Sequence, residues 1–209
     1  MTKHHLISTS AHMDSSERIM EYENCYKSIY DLKSSFKSIN IIETISKNKL
    51  QYLENTGLEV FYSPLNNEHK NKGVNWLRHM TNFISNSEIK DSEIIIFITG
   101  RYTIVNTNII SLIEENMIKR NFEFIAKEDN DIYTSVISKG VHTFFIAFTK
   151  SKFLDFSSWY EKNGKQLECI EHDLKRYMKT NERCLILPKE ITMGIKTKIY
   201  KLDHLNTII

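Results

Sequence analysis

Apolar and polar residues alternate in short blocks whose period switches between two and about 3.6, the repeats that distinguish strands from helices. The stretch 5–8 is apolar and closes on Ser8, Thr9 and Ser10, which predicts a first strand ending in a polar loop. Asp14-Ser-Ser-Glu17 has the form of a capping box. Ile19, Tyr22, Tyr26, Ile29, Tyr30 and Leu32 then recur at helical spacing, predicting a helix over 15–36. A β-branched run over 39–45 reads as a second strand, with Glu43 and Thr44 at its close. A short helix over 47–55 is stopped by Gly57, and a third strand over 58–62 is halted by Ser63-Pro64. The polar loop 66–72 leads into Gly73-Val-Asn-Trp76 and a helix carrying Val74, Leu77, Met80 and Ile84. Ile94-Ile-Ile-Phe-Ile98 is apolar on both faces and belongs in the middle of a sheet covered by helices. It ends abruptly in Thr99-Gly-Arg-Tyr102.

A helix over 108–120 and a strand over 122–126 follow, and after Asp131 the alternation changes. Two strands, 132–137 and 142–148, flank Lys139-Gly140. The aromatic segment 153–160 is helical in part, and 166–179 is an amphipathic helix through Leu167, Ile170, Leu174 and Tyr177. Strand-like pieces at 184–187 and 191–202 lie on either side of Pro188. Strand–helix alternation of this kind predicts an α/β fold with a largely parallel sheet wrapped by helices. With no internal repeat and no linker-like tract, 1–209 is expected to form one domain.

Composition narrows the setting. Hydrophobic residues make up 41% and aromatics 11% of the 209, which excludes intrinsic disorder. Lys plus Arg is 28 against 26 Asp plus Glu, a balance that argues against nucleic acid as a partner. Three cysteines without C-x-x-C or Cys/His ligand spacing read as reduced thiols of a cytoplasmic protein. The first residues lack the apolar core of a signal peptide, and the run 94–98 is too short to cross a bilayer. A soluble chain without a transmembrane segment is expected. The six glycines are widely spaced, so neither a G-x-G-x-x-G loop nor a G-x-x-x-x-G-K-[ST] loop is present.

In open α/β sheets ligands bind at the carboxyl ends of the strands. The residues placed there are Ser8-Thr9-Ser10, Glu43-Thr44, Ser63, Thr99-Gly100-Arg101-Tyr102 and Glu128-Asp-Asn-Asp131. Arg101 can pair bidentately with a phosphate or carboxylate, with Gly100 leaving the backbone open to a ligand. The competing reading is a structural salt bridge to Asp131. Lys72-Gly73-Val-Asn75 opens a helix, where free N–H groups favour an anion, although an ordinary loop-to-helix junction has the same form. Asp129 and Asp131 have the spacing of a divalent-metal pair, a pattern that also arises by chance. No His pair has zinc-helix spacing. Glu171 and Asp173 are eligible general bases, or members of a solvated helix face. Cys169 with His172 is a weak thiol–imidazole pair, and no G-x-S-x-G elbow occurs. Trp159-Tyr160 with Phe153 and Phe156 is either a stacking platform or core packing.

The order of these motifs resembles small nucleotide-sugar glycosyltransferases of the GT-A type, particularly a bacterial and viral group without the usual DXD. Asn71-Lys-Gly-Val-Asn75 stands where those enzymes open a helix before the central strand. That strand then delivers Thr99-Gly-Arg-Tyr102 in place of DXD, and Glu171-His-Asp-Leu-Lys-Arg176 is similar to an acidic pair heading a helix. The resemblance covers about residues 4–180. It implies a Rossmann-like nucleotide-binding half over 1–107, an acceptor-side half over 108–187 and a tail over 188–209. It further implies transfer of a sugar from a UDP-, GDP-, CDP- or dTDP-linked donor to a hydroxyl of a glycan or lipid-linked glycan, in polysaccharide biosynthesis. On this pattern Ser8, Thr9 and Glu43 contact the nucleoside, while Lys72, Gly73, Asn75, Thr99, Gly100 and Tyr102 line the diphosphate and donor sugar. Arg101 would neutralise the leaving diphosphate in place of a metal, so no cofactor is required, with Mg²⁺ or Mn²⁺ at Asp129 and Asp131 as the alternative. Glu171 or Asp173 would take the acceptor proton. A sugar nucleotidyltransferase and a non-catalytic α/β binding module are the rival expectations.

Overall fold

The computed structural model describes residues 4–128, 140–165, 169–198 and 206–208. Strand β1 (His4–Ser10) is followed by α1 (Ser16–Asp31), β2 (Phe36–Glu43), the single turn α2 (Gln51–Glu54) and β3 (Glu59–Tyr62). Helix α3 (Lys72–Asn86) leads to the central strand β4 (Ile94–Thr99), the short β5 (Thr103–Ile104) and α4 (Asn108–Ile113). Then come β6 (Phe124–Glu128), β7 (Val141–Thr149), α5 (Lys150–Asn163), α6 (Ile170–Lys179), β8 (Cys184–Leu187), β9 (Ile195–Lys198) and β10 (Asn206–Ile208). The expected strand 132–137 and the pair Asp129 and Asp131 lie outside the described residues.

Seven strands form one sheet in the order β3-β2-β1-β4-β7-β6-β8. Strands β3, β2, β1 and β4 pair in parallel, β7 is antiparallel to both its neighbours, and β8 is parallel to β6. β7 alone is therefore reversed. A second sheet joins β5, β9 and β10. Short strands stand at both sheet edges, β3 on one side and β8 on the other.

Alternation along the strands divides the interior in two. Leu6, Ile41, Ile96, Ile98, Ile125 and Phe145 face a first core built with Tyr22, Cys25, Tyr26 and Ile29 of α1 and Ile109 of α4. Ile7, Ile42, Ile95, Phe97, Phe124 and Phe148 face a second core filled by α3, α5 and α6. Phe153 and Phe156 are fully buried there, so the aromatic segment is packing material and not a stacking platform.

Several boundaries differ from the sequence expectation for local reasons. Helix α1 begins one residue later than the capping-box pattern requires: Ser15 is the N-cap, its hydroxyl accepting from the Arg18 N–H at 3.4 Å. Asp14 instead meets His12 Nε2 at 3.2 Å. The expected helix over 108–120 is regular only to Ile113, and Glu114–Lys119 continues as a wider π turn. Asn116 accompanies that turn, donating to the Leu112 carbonyl at 2.8 Å and accepting from Arg120 at 2.9 Å. The strand expected to stop at Ala126 runs on to Glu128, through Lys127.

Two glycines owe their identity to protein neighbours rather than to room for a ligand. A Cβ at Gly100 would lie 2.4 Å from both the Thr9 carbonyl oxygen and the Tyr26 hydroxyl. One at Gly73 would lie 2.5 Å from Ile170 Cγ2, because the start of α3 packs on the start of α6. The Gly100 contact is with backbone and cannot relax cheaply. Gly100→Ala should lower stability by about 3 kcal/mol, the upper range of an overpacked core. A reduced urea midpoint at unchanged slope measures it.

Candidate functional site

Strands β1, β2, β3, β4, β6 and β8 all end at one edge of the sheet, where the reversed β7 begins. A parallel sheet leaves its strand-end backbone groups unpaired there, so the loops at this edge must be held by side chains.

Glu43, the last residue of β2, does most of that holding. Its buried Oε1 accepts the backbone N–H groups of His12 at 3.1 Å, Ile45 at 2.7 Å and Ser46 at 2.9 Å. One carboxylate thereby ties the loop after β1 to the loop after β2. Thr44 reinforces the tie by donating its N–H and its hydroxyl, each at 2.9 Å, to the Ser10 carbonyl. Glu43 Oε2 is also buried and has no hydrogen-bond partner among the described residues. Nothing in the sequence distinguishes this acid from a surface acid at a strand end. Its partners come from a loop 31 residues earlier as well as from its own.

The loop after β3 is fixed by a relay that sequence reasoning missed. His79 on α3 lies between Ser63 Oγ, 2.6 Å from Nδ1, and Asn67 Oδ1, 3.0 Å from Nε2. Asn67 Nδ2 donates to the Thr44 carbonyl at 3.0 Å, so its oxygen is left to accept from Nε2–H. Nδ1 therefore accepts from the Ser63 hydroxyl, and the ring is neutral. Burial, with Lys47 and Arg78 adding repulsion, pushes the His79 pKa down to about 4, with Glu43 opposing. Lys47 Nζ also donates to the carbonyls of Ser63 and Leu65. Asn75 is part of this scaffold: it accepts from the His69 N–H at 3.1 Å and donates to the His69 carbonyl at 2.7 Å.

The remaining expected residues separate onto two faces. Thr9 and Thr99 are paired across β1 and β4 and follow Ile7 and Phe97 onto the α3–α6 face. Lys72 is exposed at the first turn of α3, where Asn71 Oδ1 caps the Gly73 N–H at 2.9 Å. Glu171, half-buried at the first turn of α6, accepts from the Thr143 hydroxyl at 2.8 Å. Gly140 lets the start of β7 pass close, since a Cβ there would lie 2.8 Å from Glu171 Cβ.

On the opposite, α1 face lie Ser8, Arg101 and Tyr102. Ser8 is fully buried with its hydroxyl beside the Cys25 thiol, whose pKa burial pushes up to about 12. Burial lowers the Arg101 pKa, with Arg18 of α1 adding repulsion and Tyr102, Tyr22 and Glu21 acting the other way, so the groups that feel its charge include three on α1. The Tyr102 ring is buried 4.9 Å from that of Phe144. Arg101 and Lys72 thus stand on different faces of the strand ends. Asp173 is wholly buried, paired with Arg176 and accepting the Lys165 N–H at 2.9 Å, which removes it as a base. Among the described residues no group of three or more His, Cys, Asp and Glu side chains is placed to hold a metal ion. No helix among them is long and apolar enough to cross a membrane.

No family sequence model and no curated protein matches the chain. Solved structures do match its fold. A protein from Desulfovibrio desulfuricans G20, assigned as a nucleotide-diphospho-sugar transferase, superposes with a TM-score of 0.57 at 9% identity, covering 90% of this chain and 80% of its own. A protein from Bacillus anthracis, assigned as a glucose-1-phosphate thymidylyltransferase and solved with sucrose, gives 0.56 at 12% identity over 93% and 89%. The galactosyltransferase LgtC, solved with donor and acceptor sugar analogues, gives 0.54 at 8% identity over 87% and 72%. The chain has the GT-A-like fold of nucleotide-sugar transferases, with the predicted α/β class and mostly parallel sheet.

The His79 relay makes stability depend on pH. With a folded pKa near 4 against 6.5 for the free side chain, the unfolded chain takes up the proton first. Stability is therefore full above pH 6.5 and falls as the pH drops towards about 4. His79→Gln should lose this component, flattening the profile relative to wild type in urea titrations at stepped pH. His4 and His5, lowered mainly by burial, contribute equally to both proteins and cancel.

Proposed function

We propose that the protein is a glycosyltransferase that moves a sugar from a nucleoside-diphosphate donor to a hydroxyl acceptor. The observation that carries this reading is the Glu43 carboxylate. It organises two loops at the ligand-binding edge of a nucleotide-sugar transferase fold, and its second oxygen is buried without a partner among the described residues. Such an oxygen is an acceptor waiting for a donor, and the N–H groups of a nucleobase supply one.

Thr9 and Glu43 contact the nucleoside in this scheme. Arg101 stabilises the diphosphate as negative charge grows on the leaving group, a task a fixed cation performs without reorganisation. Thr99 and Lys72 border the donor from the α3 face. Glu171 takes the acceptor proton, the Thr143 hydroxyl holding its carboxylate in one orientation. Asp129 and Asp131 are the candidate ligands should Mg²⁺ or Mn²⁺ assist.

The test is a melting screen with UDP, GDP, CDP and dTDP, with and without Mn²⁺. A ligand that binds only the native state raises its stability, by about 2.7 kcal/mol at a hundredfold excess over Kd. One nucleotide should shift the transition, and a flat response to all four overturns the reading. With that nucleotide's sugar as donor, Glu171→Gln should lower kcat by about a hundredfold or more and leave the nucleotide shift intact. Arg101→Ala should reduce the shift with the diphosphate more than with the monophosphate. Pyrophosphate release from a nucleoside triphosphate and a sugar 1-phosphate would instead identify a nucleotidyltransferase.

A further inference from the structure

Lys127 is 1% exposed, the next-to-last residue of β6 at the strand-end edge of the sheet, and its amine makes no hydrogen bond or ion pair with the described residues. Lys150, similarly buried, differs in donating to the Ser87 carbonyl at 2.9 Å. Burying an ammonium group without a partner disfavours its charged form. Burial accordingly lowers the Lys127 pKa, with only the field of Glu190 acting against it.

The direction of the side chain follows from the pleat. Ile125, two residues earlier, belongs to the α1-side core, as do Leu187, which pairs with Lys127 across β8, and Phe145 of β7. Lys127 thus emerges on the same face as Arg101, immediately before the pairing irregularity between Ala126 and Glu128. Four strand steps separate Glu43 on β2 from Lys127 on β6, about 19 Å at the usual spacing of neighbouring strands. Arg101, just beyond β4, lies midway. A donor with its base at Glu43 and its diphosphate near Arg101 extends its sugar end towards Lys127.

We propose that Lys127 binds an oxyanionic substituent, a carboxylate or a phosphate, on the carbohydrate that this site handles. The inference rests on the sugar-transfer reading and adds a charge to its substrate. A docked oxyanion supplies an acceptor, favours the charged form of the amine that burial disfavours, and makes a charge-assisted hydrogen bond with it. Neutral sugars leave the amine unpartnered and bind less well.

Calorimetric titration of wild type and Lys127→Met with matched probes tests this. UDP-glucose and UDP-glucuronate differ at one carboxylate on the donor side, and glucose and glucose 6-phosphate differ at one phosphate without any nucleotide. In at least one pair the charged member should bind wild type about tenfold more tightly, the scale of one charge-assisted hydrogen bond. Lys127→Met should abolish that ratio and leave the neutral member's affinity unchanged. A preference in the first pair places the anion on the donor sugar, and one in the second pair places it on the acceptor. No preference in either pair, or a preference that survives Lys127→Met, overturns the proposal. Wild type that binds no nucleotide yet separates glucose 6-phosphate from glucose through Lys127 refutes the nucleotide reading alone. Lys127→Met should melt no lower than wild type, since the amine it removes has no partner among the described residues and its apolar stem is replaced by another. Lys127→Gln repeats the titration should the methionine variant fold poorly.

Discussion

A strand that is apolar on both faces has one place to go. In β4 the residues Ile95, Ile96, Phe97 and Ile98 have no exposed surface, and they alternate between two cores that share nothing else but the sheet. β1 must flank it on one side and β7 on the other to satisfy its backbone, and helices must cover both faces. Full burial of these four residues also confines polar chemistry to the end of the strand. Thr99, Gly100 and Arg101 mark the point where β4 leaves the core, so the polar edge of the sheet follows from the burial of its middle.

That edge is two-sided, because helices approach it from both faces of the sheet. Thr9, Thr99, Lys72 and Glu171 gather on the α3–α6 side, while Arg101 and Lys127 emerge on the α1 side with Glu43 at one end of the row. A ligand that touches both groups lies across the strand ends rather than along either helix layer. The division also explains the buried electrostatics. Groups facing inward from this edge, such as Asp173, are neutralised by internal partners, and those near the rim keep unsatisfied capacity, as Glu43 Oε2 does.

The sheet was legible from sequence wherever periodicity was strong. The run 94–98 announced the central strand, and the polar closures at Ser10, Glu43, Ser63 and Thr99 fall within a residue of the strand ends. β1 nevertheless continues through Ser8 and Thr9, and β2 begins at Phe36 and stops at Glu43 rather than at Ile45. Legibility failed where the deciding contact is remote in sequence. Ser63, Asn67 and His79 form a relay only because α3 folds back along β3, and no local pattern encodes that. The glycines misled for a similar reason: the atoms that exclude a Cβ at Gly73 and Gly100 come from Ile170, Thr9 and Tyr26. Lys127 went unread because a lysine after three apolar residues looks like the end of a strand, whereas β6 continues through it to reach β8. Asp173 and Glu171 share one helical turn in the sequence, and it is the ion pair with Arg176, three positions on, that sets Asp173 apart.

The short edge strands have a further consequence for the company this molecule keeps. The chain contains two prolines, and each directly follows an edge: Pro64 lies just beyond Ser63 and β3, and Pro188 immediately beyond β8. Proline offers no N–H to an incoming strand, and four residues give a template too short to hold one. The two flanks of the seven-stranded sheet thus offer an incoming strand a short template that ends at a proline. The polar groups at the strand ends lie on a different side of the sheet from these flanks.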